Sequence, residues 1–352
     1  MKFSIVITTY NRLKLLRRAV DTALAQTIPC TVIVVDDCSS DGTQAYLEEK
    51  CKTLASNGDY RLIYHRNYTN LGHSASVNIG VKLAAGDWIK LLDDDDYLAA
   101  NCIEEMRKAI MRHPQAVICS CQAVNVDAKG VEIGKTRKIG LGRALYILQE
   151  NIHYGMLFEL LPFGTPIQVV FSRDAFFKSG GWDSKFDTNF DDIDSWIRIA
   201  QFGDAIFINK CLAFRTVWSG AYNQKFPLHK RCQTHLLVKE KIYSLVSEKH
   251  RHALPKLVDV YSYIKLHWIL IALRQRKPLE AAKISLSAIF SLAAWQILLH
   301  RYISKSSLRH SSYDISLKGG ILPNKKSSRS SQSNVSDRLI RNSEVSLNRK
   351  MS

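Results

Sequence analysis

The sequence predicts an α/β fold built on a doubly wound, mostly parallel β-sheet, and three observations lead to this prediction. Strand-like and helix-like segments alternate four times within about the first hundred residues. The second strand-like segment is continuously apolar and β-branched, as expected of a strand that helices cover on both faces. Polar clusters follow the first, second and fourth strand-like segments, where such sheets bind their ligands.

The alternation is clearest in the first part of the chain. Short apolar runs predict strands at 3–8, 31–35, 61–65 and 88–92. Helices are predicted between them at 13–25, 43–55 and 74–85. The first helix is supported by apolar residues at helical spacing, namely Leu16, Ala19, Val20, Ala23 and Leu24.

The later segments are less regular. The pattern predicts helices at 101–113, 143–151, 173–179 and 191–200, a hairpin of 116–126 with 131–139, and a strand at 167–172. Beyond residue 223 the texture changes. Helices are predicted at 235–246 and 259–275, followed by a strongly apolar segment at 279–303.

The charge of the 352-residue chain is unevenly distributed. Its net charge is +17, and residues 1–222 hold 25 basic and 25 acidic groups, so the whole excess lies in 223–352. A neutral body followed by a basic extension argues against a protein that coats nucleic acid, because such a protein carries basic charge on its folded body. The eight cysteines form no CxxC pair, which gives a zinc site or disulfide framework little support. We expect reduced thiols in a cytosolic protein.

The acidic run 93–96 directly follows a predicted buried strand. Four adjacent carboxylates repel one another unless a cation or hydrogen-bond donors offset the repulsion. Asp93 and Asp95, as alternate residues, can present oxygens to Mg²⁺ or Mn²⁺ while substrate phosphates complete the shell. The alternative is a solvated acidic loop or helix cap.

Asp36 and Asp37 end the second strand, which is expected at the same crevice. A carboxylate there can accept hydrogen bonds from the uracil imide or from ribose hydroxyls, or it can shape the turn at 38–42. The Gly-rich motif of dinucleotide-binding proteins is absent after the first strand. Tyr10, close to Thr8 after that strand, can stack on a base or pack over the helix.

A third acidic cluster, 191–194, opens a predicted helix. Asp191 and Asp194 at a helix start can be partners of the helix dipole and nothing more. A carboxylate in this cluster that lies in the cleft can act as general base toward a sugar hydroxyl.

Seven motifs in order resemble family 2 glycosyltransferases, which have the GT-A fold. The similarity runs from residue 3 to about residue 203. The motifs are 4–12 (SIVITTYNR), 33–43 (IVVDDCSSDGT), 70–74 (NLGHS), Asn78, 85–89 (AGDWI), 92–96 (LDDDD) and 180–183 (GGWD) followed by 191–194 (DDID).

The resemblance implies a role for each site residue. Thr8, Tyr10 and Asp37 would hold the nucleotide base. Asp93 and Asp95 would form the Asp-x-Asp motif, with Asp95 as the direct metal ligand and Asp93 or Asp94 on the ribose or on metal-bound waters. Asp192 would be the catalytic base. The implied cofactor is Mn²⁺ or Mg²⁺.

The resemblance also implies a reaction and a division of the chain. The expected enzyme is an inverting hexosyltransferase that uses a UDP-sugar, with glucose or galactose favoured, to extend a saccharide of a surface polysaccharide such as O-antigen or capsule. Residues 1–100 would bind the nucleotide sugar and 101–222 would bind the acceptor and carry the base. A basic helical extension (223–303) and a Ser-rich disordered tail (304–352) would follow.

The sequence departs from the family pattern at three places. Val77 stands where an Arg often precedes Asn78, and Asp191 replaces the usual Glu. Val217 stands where relatives often have a histidine near the metal or diphosphate, and His229 is only a weak substitute.

The apolar segment 279–303 is bracketed by cations. It can lie on the anionic cytoplasmic leaflet as an interfacial helix, or it can pack on the catalytic domain, and both can hold for different faces. Membrane contact would favour a lipid-linked acceptor, such as an undecaprenyl-diphosphate oligosaccharide, and a peripheral location on the inner face of the cell membrane. The flanking cations are Arg274, Arg276, Lys277, Lys283, Arg301, Lys305 and Arg309.

Two other functions remain open from the sequence. A nucleotidyltransferase also binds a nucleotide and a metal through carboxylates, and it would release pyrophosphate in place of UDP. A non-enzymatic protein that binds nucleic acid through the basic tail is disfavoured, because the tail has few interleaved aromatic residues. We therefore expect no nucleic-acid partner.

Overall fold

The structure is a computed structural model that describes residues 1–187, 190–218 and 226–307, with only the backbone described for 302 and 304–307. These residues belong to one compact unit. The predicted disordered tail lies outside them, apart from its first four residues. None of the eight cysteines forms a disulfide.

Ten strands in the described residues form one sheet in the order β3-β2-β1-β4-β9-β6-β10-β5, with β7 on β6 and β8 on β10. The strands are β1 (Phe3–Thr9), β2 (Thr31–Asp36), β3 (Leu62–Arg66), β4 (Trp88–Asp93), β5 (Tyr97–Leu98), β6 (Ala116–Val126), β7 (Glu132–Lys135), β8 (Ala144–Ile147), β9 (Val169–Ser172) and β10 (Asp204–Thr216). The first four are mutually parallel, as predicted.

Helices cover both faces of this sheet and extend beyond it. They are α1 (Leu13–Leu24), α2 (Thr43–Ser56), α3 (His73–Leu83), α4 (Cys102–Arg112), α5 (Gln149–Leu157), α6 (Arg173–Lys178), α7 (Asp191–Ile199), α8 (Leu228–Ser244), α9 (Glu248–Arg251), α10 (Leu257–Arg274), α11 (Pro278–Ile284) and α12 (Leu292–Ser307). Leu16, Ala19, Val20 and Ala23 of α1 are fully buried, which confirms the predicted core face.

The second half of the sheet is mixed. Strand β9 runs antiparallel to both β4 and β6, while β6 and β10 are parallel. Parallel pairing therefore continues beyond β4, with one reversed strand between the two parallel sets. This confirms the α/β fold with a mostly parallel sheet.

The predicted helix at 143–151 is wrong in its first half. Residues 144–147 form β8, which pairs antiparallel with β10, and α5 begins only at Gln149. Asp204 at the start of β10 explains the boundary, since its carboxylate accepts hydrogen bonds from the Tyr146 hydroxyl and, at 2.7 Å, from the Gln149 backbone. A contact between residues more than 50 positions apart overrides the local helical pattern.

The apolar segment 279–303 is not one helix. It consists of α11, a 3-10 turn at Leu286–Phe290 and α12, with a break at Ser285, whose φ is 141°. One face packs on α10, whereas Leu279, Phe290 and Leu292 are 78%, 86% and 72% exposed. None of the helices in the described part of the chain combines the length and apolar character that crossing a bilayer requires.

Candidate functional site

The predicted acidic clusters meet at one edge of the sheet. In the parallel register Thr9 lies beside Asp36, and Thr8 lies beside Asp93. The start of α7 comes to the same place, because His73 lies 3.8 Å from Asp93 through its Nε2 and 3.1 Å from Asp191 through its Nδ1. The carboxyl ends of β1, β2 and β4 and the start of α7 thus enclose one crevice.

Asp37 is built into the floor of the crevice. It is 5% exposed, and its carboxylate accepts hydrogen bonds from Asn67 Nδ2, Leu71 N and Gly72 N at 2.8–2.9 Å. A carboxylate can accept about four hydrogen bonds, so one acceptor position remains. The alternative role predicted for Asp37, shaping the turn at 38–42, falls to Asp36, whose Oδ1 accepts a hydrogen bond from Ser39 N at 2.8 Å.

The two other residues expected to hold a nucleotide base lie beside this floor. Thr8 is half-buried, and Tyr10 is 48% exposed at the end of β1. The loop after β1 is fixed to the loop after β2, because Asn11 Oδ1 accepts from Ser40 N at 2.7 Å and Asn11 N donates to Ser39 Oγ at 2.9 Å. Tyr10 therefore projects from a loop whose position is fixed by hydrogen bonds.

The run 93–96 alternates between buried and accessible side chains. Asp94 is buried and accepts from Thr9 Oγ1, and Asp96 is buried and accepts from Thr216 N at 2.7 Å. The side chains of Asp93 and Asp95 retain 30% and 15% of their exposure. The alternation thus directs the two carboxylates of the predicted Asp-x-Asp motif toward the crevice.

Burial and nearby negative charges make Asp93 and Asp94 of this run costly to ionise. Burial raises the pKa of Asp93, and the charges of Asp95 and Asp191 raise it further against the opposing effect of His73. Burial likewise raises the pKa of Asp94 to about 6, although Arg12 opposes the shift. A crowded carboxylate pair of this kind favours a bound cation.

Asp95 is contacted by two side chains that have no predicted role, those of Arg12 and Trp218. Arg12 Nη1 lies 3.1 Å from Asp94 Oδ1 and 3.3 Å from Asp95 Oδ2. Trp218 Nε1 donates to Asp95 Oδ2 at 3.0 Å, and the Arg12 guanidinium lies 5.5 Å from the Trp218 ring centre. Arg12 could have been predicted as a site residue from its position at the end of the first motif. Trp218 belongs to none of the motifs, so the sequence did not indicate its role.

His73, the first residue of α3, links two of the acidic clusters. Its Nδ1 lies 3.1 Å from Asp191 Oδ2, and its Nε2 lies 3.8 Å from Asp93 Oδ1. Burial opposes charging of the ring, but the hydrogen bond and charge of Asp191, with the charges of Asp93 and Asp187, outweigh it and raise the pKa of His73 to about 9. His73 is therefore a cation at neutral pH.

The three carboxylates at the start of α7 are held differently. Asp191 is paired with His73, and Asp194 is fully buried between Arg198 and Lys241. In the part of the chain that the structure describes, Asp192 accepts a hydrogen bond only from the Ile193 backbone, at 2.7 Å. Burial, then Asp191, then Asp93 raise the pKa of Asp192 to about 7. Among these three, Asp192 is the carboxylate suited to taking a proton.

The donor set fits a divalent ion that also binds substrate phosphates. In the described residues no three His, Cys, Asp or Glu side chains form a complete metal site. Mg²⁺ commonly binds one or two protein carboxylates and completes its shell with substrate phosphates. Asp93 and Asp95 can supply the two carboxylates. His229 is not part of this set, because its Nδ1 lies 2.8 Å from Glu280 in the C-terminal helices.

Comparison with known proteins gives a consistent picture. Residues 4–179 match the family model described as Glycosyl transferase family 2. The chain is 35% identical over 130 residues to YwdF of Bacillus subtilis, an uncharacterized glycosyltransferase. This match covers 36% of the chain and 46% of YwdF, so the chain spans less than half of that relative.

Two solved structures share the fold. The structure of residues 1–349 of TarS from Staphylococcus aureus in complex with UDP superposes with a TM-score of 0.54 at 16% identity, covering 81% of this chain and 90% of that one. Mannosyltransferase PcManGT from Pyrobaculum calidifontis, in complex with GDP-Man and Mn²⁺, gives 0.53 at 18% identity, covering 86% and 80%. At these identities the likeness shows the fold.

Proposed function

The chain belongs to glycosyl transferase family 2, and from this premise we propose that it is an inverting hexosyltransferase of surface-polysaccharide synthesis. The donor is a UDP-sugar, with glucose or galactose favoured, and the acceptor is a saccharide. One observation carries the proposal: the segments that hold Asp37, the Asp93–Asp95 pair and Asp192 come together, through the register of β1 with β2 and β4 and through the contacts of His73 with Asp93 and Asp191.

Donor binding is assigned to the ends of β1, β2 and β4. The uracil lies between Tyr10 and Asp37, whose remaining acceptor position takes the imide N–H. Support comes from TarS, a poly(ribitol-phosphate) β-N-acetylglucosaminyltransferase that was solved with UDP in a structure of the same fold. Asp93 and Asp95 would hold Mn²⁺ or Mg²⁺, whose charge offsets that of the departing UDP.

Asp192 performs the proton transfer. The acceptor hydroxyl oxygen attacks the anomeric carbon, the bond from that carbon to the UDP oxygen breaks, and Asp192 takes the hydroxyl proton. A base with a pKa near the working pH combines a useful ionised fraction with sufficient basicity. His73 and Arg215 supply positive charge around the diphosphate, and the same Arg215 charge opposes the upward pKa shift of Asp192.

The acceptor is proposed to be linked to a lipid diphosphate, with the enzyme bound peripherally to the inner face of the cell membrane. The support is the exposed apolar face of α11, the 3-10 turn and α12, formed by Leu279, Leu286, Phe290, Leu292, Trp295, Leu299 and Ile303. We call these residues the apolar face. Arg301, expected as a flanking cation, turns inward to Glu159, whereas the side chain of Lys305 and the whole of Arg309 lie outside the described residues.

The test is a panel of nucleotide sugars incubated with the full chain, Mn²⁺ or Mg²⁺ and candidate acceptors, with separate assays for UDP and pyrophosphate. Release of UDP that requires an acceptor is expected, and Asp192→Asn should remove it while leaving UDP binding intact. Release of pyrophosphate would instead support a nucleotidyltransferase. An unchanged rate in Asp192→Asn would reject the assigned base.

A further inference from the structure

Helix α8 of the C-terminal extension reaches the helix that carries Asp192. Lys241 Nζ lies 2.6 Å from Asp194 Oδ1, while Arg198 Nε lies 2.9 Å from Asp194 Oδ2. Asp194 is 0% exposed. A buried carboxylate depends on its partners, so removing one of them disturbs the position of the segment that carries it.

A second residue of α8 contacts Phe190, which lies two residues before Asp192. The ring of His235 stacks on Phe190, with ring centres 5.0 Å apart and planes 21° apart. Phe190 immediately precedes α7 in a left-handed conformation, with φ 70°. His235 is fixed in turn by Trp268 of α10, whose Nε1 donates to its Nδ1 at 3.0 Å.

These contacts bracket Asp192, because Phe190 and Asp194 lie two residues to either side of it. Helix α7 has nine residues, and a helix of this length is unstable without tertiary contacts. The side chain of Asp192 is itself held only by its neighbour's backbone within the described residues. The direction in which Asp192 points is therefore set by whatever holds residues 190 and 194.

We propose that Lys241 and His235 are positioning residues that hold the start of α7 so that Asp192 meets the acceptor hydroxyl. The extension is then part of the catalytic unit in addition to any role at a membrane. This inference rests on the proposed function, because it takes Asp192 as the base. Donor binding is assigned to the ends of β1, β2 and β4, so UDP affinity is expected to be unaffected.

The first experiment compares Lys241→Met with Lys249→Met. Lys249 pairs with Glu150 of α5 at 2.6 Å and also joins the extension to the body, but its ion pair is exposed and does not involve α7. A displacement of about 1 Å at a reacting group can cost on the order of a hundredfold in rate. We expect kcat of Lys241→Met to fall about 10- to 100-fold, with UDP affinity unchanged, and Lys241→Arg to recover most of it.

The second experiment separates positioning from stability at His235. His235→Phe keeps a ring to stack on Phe190 but loses the acceptor for Trp268, whereas His235→Gln keeps a polar acceptor and loses the ring. We expect His235→Phe to retain kcat with a lower melting temperature, and His235→Gln to lose kcat. This pair decides the question if Lys241→Met does not fold.

The outcomes are distinguishable from failure of the proposed function. Turnover in Asp192→Asn would overturn the assignment of the base itself. If Asp192→Asn is inactive but Lys241→Met matches Lys249→Met, the positioning inference fails alone. It also fails if His235→Phe and His235→Gln lose kcat equally, or if the losses follow UDP affinity.

Discussion

Asp192 sits beside two other carboxylates, and its pKa of about 7 follows from burial first and from the charges of Asp191 and Asp93 second. Both effects disfavour the ionised form, so the protonated form dominates below pH 7. A protonated carboxyl group cannot accept the hydroxyl proton. The reaction rate should therefore fall at low pH as Asp192 becomes protonated.

We predict that kcat/KM rises about tenfold per pH unit up to an inflection at or below pH 7, since a bound metal offsets the charge of Asp93, and stays level until His73 loses its proton near pH 9. Asp191→Asn removes a neighbouring negative charge and should move the inflection to lower pH. A pH–rate series on the two proteins measures this. A profile without an inflection, or an unmoved inflection in Asp191→Asn, would contradict the prediction.

A second residue-scale prediction concerns Asp95. Asp95→Asn keeps the side-chain shape but removes the charge, so turnover should fall about a hundredfold or more while the melting temperature is kept. Calorimetric titration of Mn²⁺ in the presence of UDP should show weakened binding. Asp87→Asn is the control, since Asp87 is exposed and pairs with the amino terminus. Equal Mn²⁺ affinity in both variants would argue against Asp95 as a ligand.

The site residues that belong to motifs could be predicted from the sequence, whereas those that only the fold brings to the site could not. The acidic clusters were identified because carboxylates at strand ends share one edge of a parallel sheet. Trp218 was missed because its partner Asp95 lies 123 positions away. The burial of Asp94 could not be predicted either, because a run of four aspartates does not show which of their side chains point into the protein.

At the scale of elements, α3 must approach the sheet closely to bring His73 to the crevice. A Cβ on Gly80 would lie 2.3 Å from Val6 Cγ1 and 3.2 Å from Val35 Cγ2. The glycine is thus required by packing against β1 and β2, although alanine is favoured by about 1 kcal/mol within a helix.

We predict that Gly80→Ala lowers the free energy of unfolding by about 1–3 kcal/mol, because overpacking outweighs the helix propensity gained. Val6→Ala removes the clashing methyl, so the double variant should be less destabilised than the sum of the two single variants. Urea denaturation of the four proteins measures this coupling. Strict additivity would show that α3 accommodates the extra methyl by moving away from the sheet.

Elements with a strong local pattern were predicted well, and those defined by pairing were not. The strands at the start of the chain are mostly apolar, and their predicted positions agree with β1, β2 and β4 to within a residue. Strand β10 escaped detection because Asn209 and Lys210 interrupt its apolar pattern where the register with β6 shifts. The break at Ser285 was likewise not predicted, because it lies in a stretch that carries no charge from 284 to 299.

At the scale of the whole molecule, charge and apolar exposure are concentrated in the same region. The excess of positive charge lies beyond residue 222, as does the apolar face. Apolar residues bracketed by cations are typical of surfaces that bind anionic lipid. Residues 1–222 carry no excess of positive charge and do not contribute to the apolar face.

We predict that the full chain floats with vesicles containing anionic phosphatidylglycerol and that Phe290→Ser/Leu292→Ser/Leu299→Ser reduces this binding several-fold. These residues are 86%, 72% and 60% exposed, so the fold and UDP affinity should be kept. Tyr60→Ser is the control, since Tyr60 is 76% exposed on the body. Equal flotation of the triple variant and the control would remove the membrane from the proposal.

The order of the chain has a consequence for synthesis on the ribosome. The segment that matches the family model ends at 179, before Asp192 has been made, and the α8 residues that contact α7 come more than 40 positions after Asp192. Because domains begin to fold from the N-terminus during translation, the nucleotide crevice can form on a nascent chain that still lacks the support of α7. The residues proposed to bind the donor can therefore fold before the proposed base and the α8 residues that position it have been made.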